Sequence, residues 1–284
     1  MEKRFIRLYD EYIHGFINRR SFIDRLTVLA GSSAAAYALL PMLENDMARA
    51  QTIAENDPRI TAQDVTVPGY PNLKGYLATP KAGGKHPAIL VIHENRGLNP
   101  HIKDVTRRFA AAGYVALGLD YLSALGGTPA DQDAATRMFM DLKPEVVAAE
   151  GKAAVAYLQK HPASTGKVGA VGFCWGGGAV NDLAVADVGL SAGVPYYGRQ
   201  PAADKVANIK APLLLQYAGE DERINAGIPA YEQALKAAGK TYEVHIYPGS
   251  MHGFNNDTNQ ARYNKAAADQ AWARTMGWFK KYLS

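Results

Sequence analysis

Three reactive side chains stand out by type and by order along the chain: Cys174, Asp221 and His252. A thiol attacks a carbonyl carbon as thiolate, so it needs a base that titrates near neutrality. The base in turn needs an acid to hold its tautomer and to stabilise its charged form. The cysteine lies in Gly172-Phe173-Cys174-Trp175-Gly176-Gly177-Gly178, after the apolar run Val168-Gly169-Ala170-Val171 and before an Ala-rich segment of helical character. Strand, glycine turn and helix are the setting of a nucleophile elbow, G-x-S-x-G, here with Cys in place of Ser. The nucleophile of such an elbow sits on strained backbone, and side chains at its flanks clash with the neighbouring strand and helix. A helix starting at Trp175 also points its positive end at the sulfur, which favours thiolate.

These groups need a scaffold that brings distant chain segments to one edge. Asp64-Val65-Thr66-Val67 and Gly75-Tyr76-Leu77-Ala78 flank a turn at Pro68-Gly69-Tyr70-Pro71-Asn72, which predicts an antiparallel hairpin. Ala88 to Ile92 is a continuous apolar run, the pattern of a strand buried on both faces. Further strands are expected at Tyr114 to Leu117, at the elbow, and at Gly189 to Val194, Pro212 to Tyr217 and Tyr242 to Tyr247. Helical patterns cover Pro100 to Ala112, Asp131 to Leu142, Pro144 to Gln159, Ile228 to Ala238 and Asn264 to Tyr282. Strands alternating with helices predict an α/β fold: a mainly parallel central sheet, right-handed crossovers and helices on both faces.

In such sheets active groups collect at the carboxyl ends of strands. The third strand is followed by His93-Glu94-Asn95-Arg96-Gly97, the elbow strand by Cys174, the strand at 212–217 by Glu220-Asp221, and the last strand by His252-Gly253-Phe254. Nucleophile, acid and base in that order are the α/β-hydrolase arrangement. Glu220 is the rival acid, and Asp221 is preferred. The backbone N–H groups of Trp175 and Asn95 are the expected oxyanion donors. His93, His101 and His161 are read as structural or solvent-facing.

On these motifs the chain from about Asp64 to Leu283 resembles the dienelactone hydrolase (carboxymethylenebutenolidase) family of the α/β-hydrolase superfamily. The matching pieces are His93-Glu94-Asn95-Arg96-Gly97-Leu98-Asn99, Gly166-Lys167-Val168-Gly169, the cysteine elbow, Tyr196-Tyr197-Gly198, Asp221 and His252-Gly253-Phe254. The resemblance implies a Cys174-His252-Asp221 triad and a thioester acyl-enzyme on a lactone or small ester. It also implies that Glu94 contacts the resting thiol and takes its proton as substrate binds. No metal and no cofactor are expected. The family's carboxylate-binding arginine, shortly after the histidine, is replaced here by Asn256. Asn cannot form a bidentate charged pair with a carboxylate, so Arg199, Arg96 and Tyr197 become the candidates for substrate contact. The alternatives are a general carboxylesterase without lactone preference and a non-catalytic binding or thiol-redox protein on the same fold.

With 284 residues, 48% hydrophobic and 20% charged, the chain is long enough for one large core. A net charge of +4 without a basic stripe argues against nucleic acid, and one cysteine excludes an internal disulfide. A monomer or a homodimer is compatible with these features. Residues 1–50 read as an address, residues 51–62 as a linker, and 63–284 as the hydrolase domain. Asn18-Arg19-Arg20-Ser21-Phe22-Ile23 resembles a twin-arginine export motif; Leu26 to Leu43 is mildly apolar, and Ala48-Arg49-Ala50 offers a cleavage point before Gln51. Gly31, Ser32, Ser33 and Pro41 interrupt the apolar stretch, so no stable membrane span is expected after processing. Export implies a periplasmic protein. The alternative is a cytoplasmic one whose N-terminal helices are retained and pack on the domain or on a second subunit.

Overall fold

The computed structural model describes residues 1–49 and 51–284. Ala50, the last residue of the expected cleavage site, lies outside the described residues. The strands are β1 (Ile60–Thr66), β2 (Lys74–Pro80), β3 (His86–Ile92), β4 (Val115–Asp120), β5 (Ser164–Phe173), β6 (Ala192–Tyr196), β7 (Leu213–Ala218) and β8 (Tyr242–Tyr247). They form one sheet in the order β1-β2-β4-β3-β5-β6-β7-β8. The β1–β2 hairpin is antiparallel, with Asp64 opposite Tyr76, and β2 pairs antiparallel with β4. From β4 to β8 every pairing is parallel. The expected strand at 189–194 starts later because Gly189 takes a φ of 86°, which breaks the extended run.

Helices cover both faces. They are α4 (Pro100–Ala111), α5 (Gln132–Phe139), α6 (Pro144–Lys160), α7 (Trp175–Val185), α8 (Glu222–Asn225), α9 (Ile228–Ala237) and α10 (Lys265–Leu283), preceded in the chain by α1 (Lys3–Ile13), α2 (Arg19–Ala30) and α3 (Ser33–Leu43). The apolar run of β3 shows why a two-sided sheet forms. Ile89 and Val91 join the cluster that includes Phe109 of α4 and Phe279 of α10. Leu90 and Ile92 join the opposite cluster with Leu158 of α6 and Val180 of α7. Alternate side chains of a strand point to opposite faces, so a continuous apolar strand needs apolar cover on both.

The N-terminal helices obey local rules of their own. Asn18 caps α2 by accepting a hydrogen bond from the Ser21 N–H, and Gly31 ends the helix at a φ of 81°. Ser32 caps α3 in the same way. The Asn-Arg-Arg-Ser stretch therefore also serves as a helix start. The three helices share a small core containing Phe5, Tyr9, Phe22, Leu26 and Leu43, and Met251 from the loop beside His252 belongs to it. Among the described residues no single helix is long and apolar enough to cross a membrane, although α2 and the segment Ser33–Arg49, bent by 112°, are so in combination.

Candidate active site

Cys174 stands between β5 and α7 with a φ of 55°, in the left-handed region that costs a non-glycine residue about 1 kcal/mol or more. The glycines around it leave room for this turn. A Cβ on Gly172 would meet the Gly176 carbonyl oxygen at 2.1 Å, and one on Gly177 would meet the Tyr196 oxygen at 2.5 Å. Either substitution would drive the elbow off the sheet.

His252 follows β8 and Asp221 follows β7, and the two meet. Nδ1 of His252 lies 2.5 Å from Oδ2 of Asp221, and both side chains are buried. Oδ1 of Asp221 also accepts from the Ile224 N–H at the start of α8. The rival Glu220 is turned outward and pairs with Lys3 at 2.9 Å. Nε2 of His252 makes no hydrogen bond among the described residues. It belongs with the Cys174 sulfur and the ring of His14 to a set whose heteroatoms lie within 4.8 Å of one another. Such residue types occur both at metals and in sets that exchange protons, and here Asp221 lies behind His252 and the thiol stands on an elbow.

The electrostatics of the set favour an ion pair. Burial opposes ionisation of Cys174, but the facing His252 and His14 outweigh it and bring the thiol down to about 6. Burial also disfavours a charged His252, yet the Cys174 sulfur and the Asp221 carboxylate prevail and raise the imidazole to about 10. Burial raises Asp221, and the His252 hydrogen bond brings it below the usual carboxylate range. Thiolate and imidazolium thus coexist between those two limits. Alkylation of Cys174 by iodoacetamide should rise as pH climbs through about 6 and then level off, because thiolate is the reactive form. A rise centred near the ordinary thiol value of about 8.5 would contradict the pairing.

Above the sulfur lies a cavity of about 530 Å³, a size suited to a small organic molecule. Its wall includes Tyr12, His14, Asn95, Trp175, Tyr197 and Arg199. The backbone N–H groups of Asn95 and Trp175 have no acceptor among the described residues, as an oxyanion site requires. Tyr197 is buried with a φ of 37°, and its ring lies 5.0 Å from that of His252. Arg199 reaches the cavity, although its Nη2 is engaged by the Asp182 carboxylate.

Two expectations need correction. The Glu94–thiol contact is not made. Oε2 of Glu94 accepts from Nδ2 of Asn256 at 2.8 Å, and the hydrogen-bond partner of the sulfur is Nε2 of His14 at 3.6 Å. Glu94 instead lines a second, much smaller space together with Cys174, His252 and Asn256. The residue in the place of the family's arginine is therefore a clamp on Glu94. Arg96 is likewise absent from the wall of the main cavity and lines the smaller space instead. It is buried, donates to the Tyr9 hydroxyl at 2.7 Å and to Gln132, and forms no ion pair with Glu94. His93 is structural, as expected. It is fully buried, accepts from the Tyr121 N–H and stacks on Trp175 at 5.6 Å. His101 is buried against Asp257, and His161 is half-buried. His14 was not among the candidates: it lies 160 residues from Cys174, and nothing in its own stretch marks it.

A family model described as dienelactone hydrolase family matches residues 73–283, and one described as YqhI-like matches residues 2–31. A protein of Methylorubrum extorquens named "Putative carboxymethylenebutenolidase" is 33% identical over 276 residues, covering 92% of this chain and 94% of its own. The crystal structure titled "Putative Dienelactone Hydrolase" from Klebsiella pneumoniae superposes with a TM-score of 0.70 at 29% identity, over 78% of this chain and 99% of that one. An acylaminoacyl peptidase of Pyrococcus horikoshii shares the fold, with a TM-score of 0.61 at 17% identity over 79% of this chain and 42% of its own.

Proposed function

The chain belongs to the dienelactone hydrolase family of α/β-hydrolases, and on that premise we propose that it cleaves lactones or small carboxylic esters through a thioester on Cys174. The observation that carries the reading is the buried His252–Asp221 pair aimed at a cysteine held on a strained elbow. The thiolate attacks the carbonyl carbon, and the oxyanion that forms lies toward the Asn95 and Trp175 N–H groups. Collapse expels the alkoxide, which takes the Nε2 proton of His252 and leaves a thioester on the sulfur. His252, now neutral, draws a proton from water, whose oxygen attacks the thioester. Acid is released and the thiolate–imidazolium pair returns.

Incubation with an activated aryl ester tests this directly. A burst of phenol equal to the enzyme, with the acyl mass on Cys174, is the expected result. A linear release with no adduct would remove the thioester from the mechanism. A panel of lactones and aryl esters then separates a lactonase from a general carboxylesterase. The second reading has its own support, since Asn256 stands where a carboxylate-binding arginine is found in the family.

Arg199, one of four arginines lining the cavity, is the candidate at a strand end for holding an anionic substrate. Arg199→Ala should raise KM for carboxylate-bearing lactones about tenfold, a loss of ~1.4 kcal/mol, and leave neutral esters nearly unchanged. The figure is modest because Arg199 is largely solvent-exposed and already shared with Asp182. Equal losses on both substrate classes would assign Arg199 to structure alone.

A further inference from the structure

One group at the reactive sulfur comes from outside the hydrolase sheet, the histidine at the end of α1. His14 meets the nucleophile from a segment outside the dienelactone hydrolase match to 73–283 and inside the YqhI-like match to 2–31. Its Nδ1 lies 2.7 Å from the Asp10 carbonyl oxygen and must donate to it, since a carbonyl can only accept. That fixes the tautomer and turns Nε2 toward the Cys174 sulfur, 3.6 Å away. The ring meets His252 edge-on, with centroids 5.1 Å apart.

The sulfur thus faces two Nε2 atoms whose rings each give their Nδ1 proton outward, one to Asp10 and one to Asp221. The three heteroatoms offer three places for protons. With one proton, one contact lacks a donor. With two, the sulfur has a protonated ring facing it in either state, as S–H to His14 beside a protonated His252, or as thiolate between two protonated rings. Passing one proton from the sulfur to His14 interconverts the two states and leaves His252 protonated, ready to donate to a leaving alkoxide.

We propose that the N-terminal helices are retained in the working protein as the roof of the active site, and that His14 is a second histidine of the nucleophile, taking the thiol proton and holding the thiolate. The inference rests on Cys174 being the nucleophile. The docking of the segment supports it. Buried Arg96 depends on the Tyr9 hydroxyl, Arg262 pairs with Asp10, and Asn259 donates to the Leu43 carbonyl. Asn95, the oxyanion candidate, donates its side chain to the Ile13 carbonyl. Removing residues 1–49 would take these partners away from buried Arg96, Arg262 and Asn259 and open the cavity wall, a costly change. The match to the Methylorubrum extorquens protein also covers more of the chain than residues 51–284 could supply.

The other charged groups around the site are mostly matched. Glu11 pairs with Arg25, Glu220 with Lys3 and Glu222 with Arg7. On the cavity wall Arg19 pairs with Asp133, beside Tyr12 and Arg223, while Arg199 pairs with Asp182. Glu94 is held by Asn256 and Asp221 by His252, and Tyr197 lines the cavity with the sulfur. His14 and His252 are the groups that share the thiol proton.

The test reads the thiol itself and needs no ester. Full-length wild-type protein and His14→Gln are alkylated with iodoacetamide across pH in the presence of a chelator, with adducts counted by intact mass. In folded His14→Gln the midpoint should move up by about one pH unit or more, lowering the rate at pH 6 about fivefold. An unchanged midpoint would overturn the role of His14 while leaving ester hydrolysis by Cys174 standing. Should the variant not fold, the His14 ring resonance of the unmutated histidine decides. Its titration midpoint should differ between wild type and Cys174→Ala, and coincidence of the two would sink the idea. The mass of the protein from its native host should start at Met1 or Glu2; a chain starting at Gln51 would instead establish removal of the segment and refute the retained roof.

Discussion

Cys174→Ala is expected to abolish ester turnover, lowering kcat by at least ~10³-fold, while the protein folds as before. Loss of the sulfur removes the atom that bonds to the acyl group, and nothing else at the strand ends can take its place in that geometry. Alanine keeps the Cβ that the elbow already accommodates at a φ of 55°, so the backbone cost is unchanged. The 9% exposure of the cysteine also means that little packing is lost beyond the sulfur. Single-turnover kinetics with an activated ester and a thermal unfolding curve check the two halves. Retention of more than about a hundredth of the activity would put the nucleophile elsewhere.

The second large effect concerns the acid. Asp221→Asn keeps the shape but removes the charge that holds the His252 imidazolium, and an amide can donate to Nδ1 and select the wrong tautomer. A fall in kcat of about 10²–10⁴-fold is expected. His252 owes part of its raised proton affinity to Asp221, so the variant should also lose thiolate near neutral pH, visible as slower alkylation of Cys174. Glu220→Gln provides the contrast. Its exposed pair with Lys3 is screened by solvent and contributes little, so turnover should stay within about twofold of the parent. Reversal of this order would show that the adjacent acid had been assigned incorrectly.

Much of this site was legible because its demands are local. An elbow needs a strand, a reactive residue and glycines within a few positions, and the Gly172 to Gly178 stretch supplies them together. A buried parallel strand needs an unbroken apolar run, so β3 and the polar groups following it could be placed. The choice of Asp221 over Glu220 also follows from chain geometry, since neighbouring residues diverge and only one can turn inward to His252. Element ends were less legible where a left-handed glycine such as Gly189 shortened a strand that its composition would have extended.

Other features depended on which long side chain reaches which partner, a matter of packing across the whole molecule. Arg96 and Glu94 are two residues apart and of opposite charge, yet the fold gives Arg96 to Tyr9 and Glu94 to Asn256, 87 and 162 residues away. By itself the sequence determined the hydrolase architecture and singled out Cys174, Asp221 and His252 as candidates in that order, because each is written in a short stretch whose backbone geometry admits few residue types. Only the tertiary structure decided that α1 closes the cavity and that His14 faces the sulfur. Contacts between segments 160 residues apart arise when buried apolar faces and buried polar groups are satisfied together, and no spacing within either segment records them.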